Sequence, residues 1–294
     1  MDLRDFRIAL ELSRNPFASY QEIGRRIDCS RNTVRLRMGR MRRERVFEGF
    51  YVLPSAALFN RHWKIANFVV QGPEPGVAEL LDFDDVVMIW RGRPKTITVN
   101  LYARDEDGTV SPQLSALLGG PPFEVLAPER HLSDSRPIGT VSPLDWRVLD
   151  GLLDGPSDPL TELAARTGLT PRTVKRRRES LVRRGLVRVL PGFNTSRESG
   201  LVLYSGQIVV GRVEDLGAVQ IPGLYVMQRF SEPPAAWVFG HAPTVAKLQD
   251  IEAEIRETPA VLRAELTPCR GGAFARQRLR GWIRGELLHE PRTI

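Results

Sequence analysis

The chain has 294 residues, of which 42% are hydrophobic and 26% are charged, a composition that excludes an intrinsically disordered protein. It has no apolar run of about 18 residues, which argues against a membrane span. Cys29 and Cys269 are its two cysteines, too few for a disulfide framework or a zinc site. We therefore predict a cytoplasmic protein, and we predict neither a metal site nor a cofactor.

The positive charge is concentrated in two short stretches. The formal net charge of the chain is +7, yet residues 31–45 carry +6 and residues 172–188 carry +7, so the remainder is mildly acidic. A compositional bias toward arginine would spread the charge evenly over solvated helix faces. Charge gathered on two elements is instead typical of nucleic-acid binding.

Residues 1–60 read as a winged helix-turn-helix. An apolar helix, LRDFRIALELSR, is followed by Ser19, which has Glu22 three positions later in capping-box spacing. Ser19 thus caps a short second helix. Ser30 then caps a third helix, RNTVRLRMGRMRRERV, whose spacing places Val34, Met38 and Met41 toward the core. The alternating segment VFEGFYVLP predicts a two-stranded wing.

Residues 61–132 have the pattern β-α-β-β-α-β, which predicts a ferredoxin-like domain in an α+β protein. The strands are KIANFVVQG, DDVVMIWRG, TITVNLYARD and FEVLAPERH, and the helices are PGVAELLDF and SPQLSALLGG. Residues 133–141 are polar and contain proline, so we assign them to a linker.

The chain then repeats itself at a constant offset, which aligns Tyr20 with Leu160. YQEIGRRIDCSRNTVRLRMGRMRRERV matches LTELAARTGLTPRTVKRRRESLVRRGL without a gap. We therefore predict a second winged helix-turn-helix at 142–198, a second ferredoxin-like domain at 199–270 and an amphipathic C-terminal helix or tail at 271–294. In the second copy Arg178 takes the core position of Met38, where it either snorkels to the surface or loosens the packing.

One charged pair also recurs in both copies. Glu22 with Arg37, and Glu162 with Arg177, lie on helices that pack together. The arginines could bind phosphate, but recurrence of both partners favours an ion pair that sets the angle between the helices.

The exposed faces of the two basic helices supply the predicted DNA contacts. An arginine early in a recognition helix can reach guanine, and asparagine or threonine can reach adenine or a phosphate, whereas later arginines meet phosphates. The predicted contact residues are Arg31, Asn32, Thr33, Arg35, Arg40, Arg42, Arg43, Arg172, Thr173, Lys175, Arg176 and Arg183.

A winged helix followed by a β-α-β-β-α-β domain resembles the Lrp/AsnC (leucine-responsive/asparagine regulator) family of prokaryotic transcription factors, here duplicated within one chain. The resemblance implies a sequence-specific regulator of transcription that binds double-stranded DNA as an intrachain pseudo-dimer, and it leaves a further homodimer open. Because the two recognition helices differ, we expect them to read unlike half-sites. The family's acidic turn after the second sheet strand is missing from residues 92–95 and 231–234, so any small-molecule effector is unidentified.

Two other functions fit the same pattern. The resemblance has an enzymatic branch, the siroheme decarboxylases, which would need cations for the tetrapyrrole carboxylates and a histidine or tyrosine at the reacting group. His62, His131, His241 and His289 are scattered through the chain, so we predict a regulator and not an enzyme. The third class is an architectural DNA binder without sequence preference.

Overall fold

The computed structural model describes residues 2–92, 95–104, 110–128, 140–156, 158–193, 200–219 and 223–288. These residues form two compact units. One contains both helix-turn-helix segments and the C-terminal helix, and the other contains both ferredoxin-like domains. Residues 133–139 of the predicted linker lie outside the described ranges.

The helix-turn-helix segments agree closely with the sequence pattern. The first contains α1 (Leu3–Arg14), α2 (Tyr20–Arg26) and α3 (Arg31–Arg43), and the second contains α6 (Pro143–Leu152), α7 (Leu160–Thr167) and α8 (Pro171–Arg183). Ser19 and Glu22 form the capping box that their spacing predicts, and Ser30 caps α3. Val34, Met38 and Met41 are buried, as expected from their helical spacing.

The predicted wings are wrong in their pairing. Each segment is one strand in the described structure, β1 (Phe47–Pro54) and β6 (Val187–Phe193), and the two strands pair with each other in an antiparallel two-stranded sheet. A strand needs a partner for its backbone N–H and C=O groups. The equivalent strand of the other copy supplies that partner across the sequence repeat.

The C-terminal helix α10 (Arg276–Leu288) packs on α6. Its Leu279 and Ile283 are buried, and Arg280 forms ion pairs with Asp150 and Asp154 of the second helix-turn-helix segment. The amphipathic pattern of the tail therefore corresponds to a helix docked by its apolar side.

The ferredoxin-like domains have the predicted element order. The elements of the first are β2 (His62–Val69), α4 (Val77–Leu81), β3 (Val86–Arg91), β4 (Thr96–Ala103), α5 (Pro112–Leu117) and β5 (Glu124–Pro128). Those of the second are β7 (Val202–Val210), a 3-10 helix (Val213–Ala218), β8 (Leu224–Glu232), β9 (Pro234–Ala242), α9 (Val245–Arg256) and β10 (Val261–Pro268).

With the further strand β11 (Gly271–Phe274), the two domains share one nine-stranded sheet, in the order β10-β7-β9-β8-β5-β2-β4-β3-β11. Where the domains meet, Ile65 and Leu126 of the first pack against Phe230 and Ala235 of the second. The sequence did not predict β11 (Gly271–Phe274), which follows β10 almost at once and pairs with β3 at the opposite end of the strand order. One segment of chain thus supplies the strands at both ends of the sheet.

Candidate functional sites

The recurring arginines of the recognition helices have partners other than those predicted. Arg37 Nη1 lies 2.9 Å from Asp5 Oδ1, and Arg177 Nη1 lies 3.3 Å from Asp145 Oδ1. Both aspartates are buried on the first helix of their own segment, and they occupy equivalent positions in the repeat. The predicted pairing with Glu22 and Glu162 is therefore replaced by an ion pair to α1 and α6.

Glu22 instead caps the N-terminus of the helix on which it lies. Its carboxylate accepts a hydrogen bond from the Ser19 backbone N–H at 2.7 Å, and this bond lowers the pKa of Glu22. Glu162 is exposed. Both glutamates lie in the first turn of a helix, where the local positive potential of the helix terminus favours a carboxylate.

Most of the predicted DNA-contact residues lie on the outer faces of α3 and α8. The exposed ones are Arg31, Asn32, Arg35, Arg42, Arg43, Arg172, Lys175, Arg176 and Arg183. The other three are only partly exposed, and each is held by a partner within the protein. Arg40 bonds to Asp5, and the hydroxyls of Thr33 and Thr173 lie within hydrogen-bond distance of the cap residues Ser30 and Thr170.

Arg178 lies in the core of the second segment without disrupting it. Its side chain is buried, and its guanidinium carbon lies 3.8 Å from the centroid of the Phe17 ring, which belongs to the first segment. Burial lowers the pKa of Arg178, and stacking on an aromatic face partly compensates for the lost hydration. Arg178 therefore joins the two helix-turn-helix segments.

A second group of polar side chains lies in the ferredoxin-like unit, at equivalent sheet positions. Tyr102 is paired with Trp63 across β4 and β2, and His241 is paired with Leu203 across β9 and β7. Because Trp63 aligns with Leu203 in the repeat, Tyr102 and His241 occupy the same place in the two domains. Tyr102 is buried, and so is Nδ1 of His241. The sequence alone did not single out His241, because its equivalence to Tyr102 depends on the strand register.

The helix-facing side of the same sheet carries a further pair, Lys64 and Tyr204, which also align in the repeat and are both buried. Tyr204 Oη has no hydrogen-bond partner within the part of the chain that the structure describes. Burial, with a smaller effect of Tyr225, raises the pKa of Tyr204 to about 12. The phenol therefore stays protonated and can act only as a neutral donor near neutral pH.

The described residues include no cluster of three or more His, Cys, Asp or Glu side chains that could hold a metal ion. Likewise, none of the helices within those residues has the length and apolar character needed to cross a membrane.

Comparison with known families finds two helix-turn-helix domains. Residues 1–47 match the model described as winged helix-turn-helix DNA-binding, and residues 146–191 match the IclR helix-turn-helix domain. The comparison with curated proteins gives no significant match.

Among solved structures, the crystal structure of the siroheme decarboxylase NirDL matches 97% of this chain and 98% of its own chain, with 11% identity and a TM-score of 0.51. An AsnC-family regulator from Agrobacterium tumefaciens matches 42% of this chain and 86% of its own, with 13% identity and a TM-score of 0.29. AsnC of E. coli matches 43% and 89%, with 16% identity and a TM-score of 0.26. The last two scores are too low to support an argument.

The chain thus has a duplicated α+β fold, in which a helix-turn-helix segment precedes a ferredoxin-like domain twice. The resemblance to the Lrp/AsnC family lies in this fold. The prediction of a sequence-specific transcription regulator that is not an enzyme is wrong, because a solved structure that matches 97% of this chain is that of an enzyme, the siroheme decarboxylase NirDL.

Proposed function

We propose that the chain is a decarboxylase of the siroheme decarboxylase type, acting on a tetrapyrrole that carries carboxylate side chains. The observation that supports it is the likeness to NirDL over 97% of the chain, which includes both copies of the repeat. A regulator of the usual kind needs one copy per chain, whereas this fold has two unlike copies paired within one chain. A cytoplasmic location remains a prediction.

The reaction is redox-neutral and needs few groups from the protein. The bond between the carboxylate carbon and its side-chain carbon breaks, carbon dioxide leaves, and the electron pair that remains on the side-chain carbon takes up a proton. A side chain that donates this proton contributes as a general acid, for which histidine and tyrosine are suitable residues. We assign this role to His241, with Tyr102 as the equivalent donor in the first domain.

Carboxylates of the substrate also need cations. Arg229 lies on β8, two strands from β7, and it is exposed, while Lys64 is buried on β2. Both residues lie on the helix-facing side of the sheet, opposite Tyr102 and His241, so we do not place them among the groups that bind the substrate. Burial of a carboxylate in a site of low polarity also favours loss of carbon dioxide, because the charge is dispersed as the bond breaks.

The proposal is tested by incubating the purified full-length chain with siroheme and analysing the tetrapyrrole by mass spectrometry. The expected product has lost one carbon dioxide for each decarboxylated acetate. His241→Asn should lower kcat on the order of a hundredfold, the contribution of one general acid, with KM changed much less. Lys247→Gln, on the exposed face of α9, is the matched control and should leave the rate unchanged.

Failure would be clear in two ways. If the chain neither changed the absorption spectrum of siroheme nor released carbon dioxide from it, the proposed activity would be refuted. If the chain was active but His241→Asn and Tyr102→Phe both kept the full rate, the proposed activity would be supported and the assignment of these two residues as proton donors would be refuted.

We also infer that double-stranded DNA is a partner of the helix-turn-helix segments. Two observations support this: both family matches are helix-turn-helix domains, and nine of the twelve predicted contact residues are exposed on α3 and α8. Contacts to phosphate carry no sequence information by themselves, so this partner does not require the chain to be a regulator.

The test is a titration of the chain with duplex DNA at several salt concentrations. The logarithm of the affinity should fall by about 0.9 per phosphate contact for each decade of salt. Arg35→Ala and Arg176→Ala should each reduce the affinity and the salt dependence, whereas Lys247→Gln should not. Absence of binding at low salt would exclude DNA as a partner and would leave the decarboxylase proposal untouched.

A further inference from the structure

Each ferredoxin-like domain has an amide side chain and a carboxylate side chain paired across neighbouring strands. Glu124 of β5 is paired with Asn67 of β2, and Glu265 of β10 is paired with Gln207 of β7. Asn67 aligns with Gln207 in the repeat, so each domain places one amide and one carboxylate at equivalent positions.

The two amides meet at the junction between the domains. Asn67 Nδ2 donates a hydrogen bond to Gln207 Oε1 at 3.1 Å, and the two side chains are 5% and 6% exposed. Thr98 Oγ1 donates to Asn67 Oδ1 at 2.8 Å, which fixes the orientation of the Asn67 amide. An amide–amide hydrogen bond therefore joins equivalent positions of the two domains.

The charges at this junction are not symmetric. Arg263 of the second domain forms an ion pair with Glu124 of the first, and its Nε lies 3.8 Å from Oε1 of Glu265 in its own strand. The Glu124 side chain is only 9% exposed, whereas that of Arg263 is 41% exposed. Arg263 lies two residues before Glu265, and the residue two before Glu124 is Pro122. The first domain therefore has no cation at this position.

We propose that the Arg263–Glu124 ion pair selects the pairing of unlike domains, so that a first domain associates with a second domain and not with another first domain. Two first domains would bring two largely buried Glu124 carboxylates to one junction with no cation from position 122. An uncompensated buried carboxylate is costly, and like charges side by side are the usual means of excluding a wrong partner.

Pairing of two second domains would keep a cation at each carboxylate, but it would leave the first domains of both chains without a partner. The pairing within one chain satisfies both domains. The asymmetric charge thus provides a reason why, in a duplicated fold with two similar faces, a first domain pairs with a second domain and not with another first domain.

Charge reversal in the full-length chain tests the proposal. Arg263→Glu and Glu124→Arg each place like charges at the junction, and each should raise the unfolding equilibrium constant about tenfold or more, measured by urea denaturation. The double variant, which carries both changes, restores an attractive pair and should recover most of the loss. Arg229→Glu, an exposed reversal on β8, is the matched control and should have little effect.

A mixing experiment separates selection of a partner from simple stabilisation. When the two single variants are unfolded together and refolded, each repulsive junction can be relieved only by exchange between chains. Native mass spectrometry should then find complexes that contain one copy of each variant, while two differently tagged wild-type chains stay unmixed. If the double variant is rescued but no mixed complex forms, the ion pair stabilises without selecting, and the proposal is overturned. It is also overturned if the single variants behave like Arg229→Glu.

Discussion

The buried aspartate of each helix-turn-helix segment gives the sharpest test of the fold. Asp145 is 1% exposed and is contacted by Arg177 and by the backbone N–H and hydroxyl of Ser142. Arg177→Ala removes its cation but leaves the two Ser142 bonds. Loss of one partner of a buried ion pair costs about 3–5 kcal/mol, and the retained bonds place the expected loss of unfolding free energy at the lower end, about 3 kcal/mol.

The first segment supplies an internal comparison. Asp5 is held by both Arg37 and Arg40, so Arg37→Ala leaves one cation in place. We expect Arg37→Ala to cost about half as much as Arg177→Ala, roughly 1–2 kcal/mol. The measurement is urea denaturation followed by circular dichroism, with the unfolding free energy extrapolated to water.

Two control variants decide whether the reasoning is correct. Arg176 lies next to Arg177 on the exposed face of α8, so Arg176→Ala should change the free energy of unfolding by less than about 0.5 kcal/mol. Glu162→Gln tests the partner that the sequence suggested, and it should be equally mild because Glu162 is exposed. A loss for Glu162→Gln as large as that for Arg177→Ala, or no loss for Arg177→Ala, would refute the pairing with Asp145.

Three further predictions concern single residues. Arg45 has a left-handed backbone conformation, φ 52°, where the second copy has Gly185, so Arg45→Gly should stabilise the chain by about 1 kcal/mol in the same denaturation assay. Burial raises the pKa of the Cys269 thiol to about 11, so below that pH a thiol reagent should label Cys29 first and Cys269 only on unfolding. Because the folded state holds the Cys269 proton more tightly than the unfolded state, the stability linked to this proton is complete below the ordinary thiol pKa. It is lost as the pH rises toward about 11. Arg178→Met should be neutral or stabilising, since a well-packed apolar side chain often replaces a buried charge without loss, and a loss above about 2 kcal/mol would show that the contact with the Phe17 ring is essential.

The parts of the fold that were predictable are those governed by local signals. Ser19 and Ser30 mark helix starts through their own side chains, and Gly168 and Gly185 end helices in a conformation that glycine adopts without strain. The hydrophobic spacing of a helix and its caps both depend on residues that are only a few positions apart. A single sequence therefore contains the information needed to locate the helices.

The parts that were missed depend on partners far along the chain. Nothing local in the β1 segment indicates that its partner is β6, in the other copy of the repeat, and not a second strand of its own wing. The pairing of Arg37 could have been found, because Asp5 and Asp145 recur at the same offset as the arginines. Both aspartates are charged residues on the buried faces of their helices, so the apolar pattern by itself does not indicate them.

The proposed enzymatic function was not predicted from the sequence, for a related reason. Net charge on α3 and α8 is visible in the sequence, and it drew the interpretation toward DNA. The equivalence of Tyr102 and His241 becomes apparent only when the strand registers of β2–β4 and β7–β9 are known, so a scattered set of histidines gave no indication of a site.

The β1–β6 strand pair also determines how the helix-turn-helix segments respond to dilution. In an ordinary symmetric dimer, such a contact forms between separate molecules, and its occupancy falls as the protein becomes scarce. Here both strands belong to one chain, so the contact is intramolecular and the effective concentration of each strand for the other is set by chain length. A few copies of this protein in a cell would therefore keep their two recognition helices paired, where a dimer of the same affinity would have dissociated.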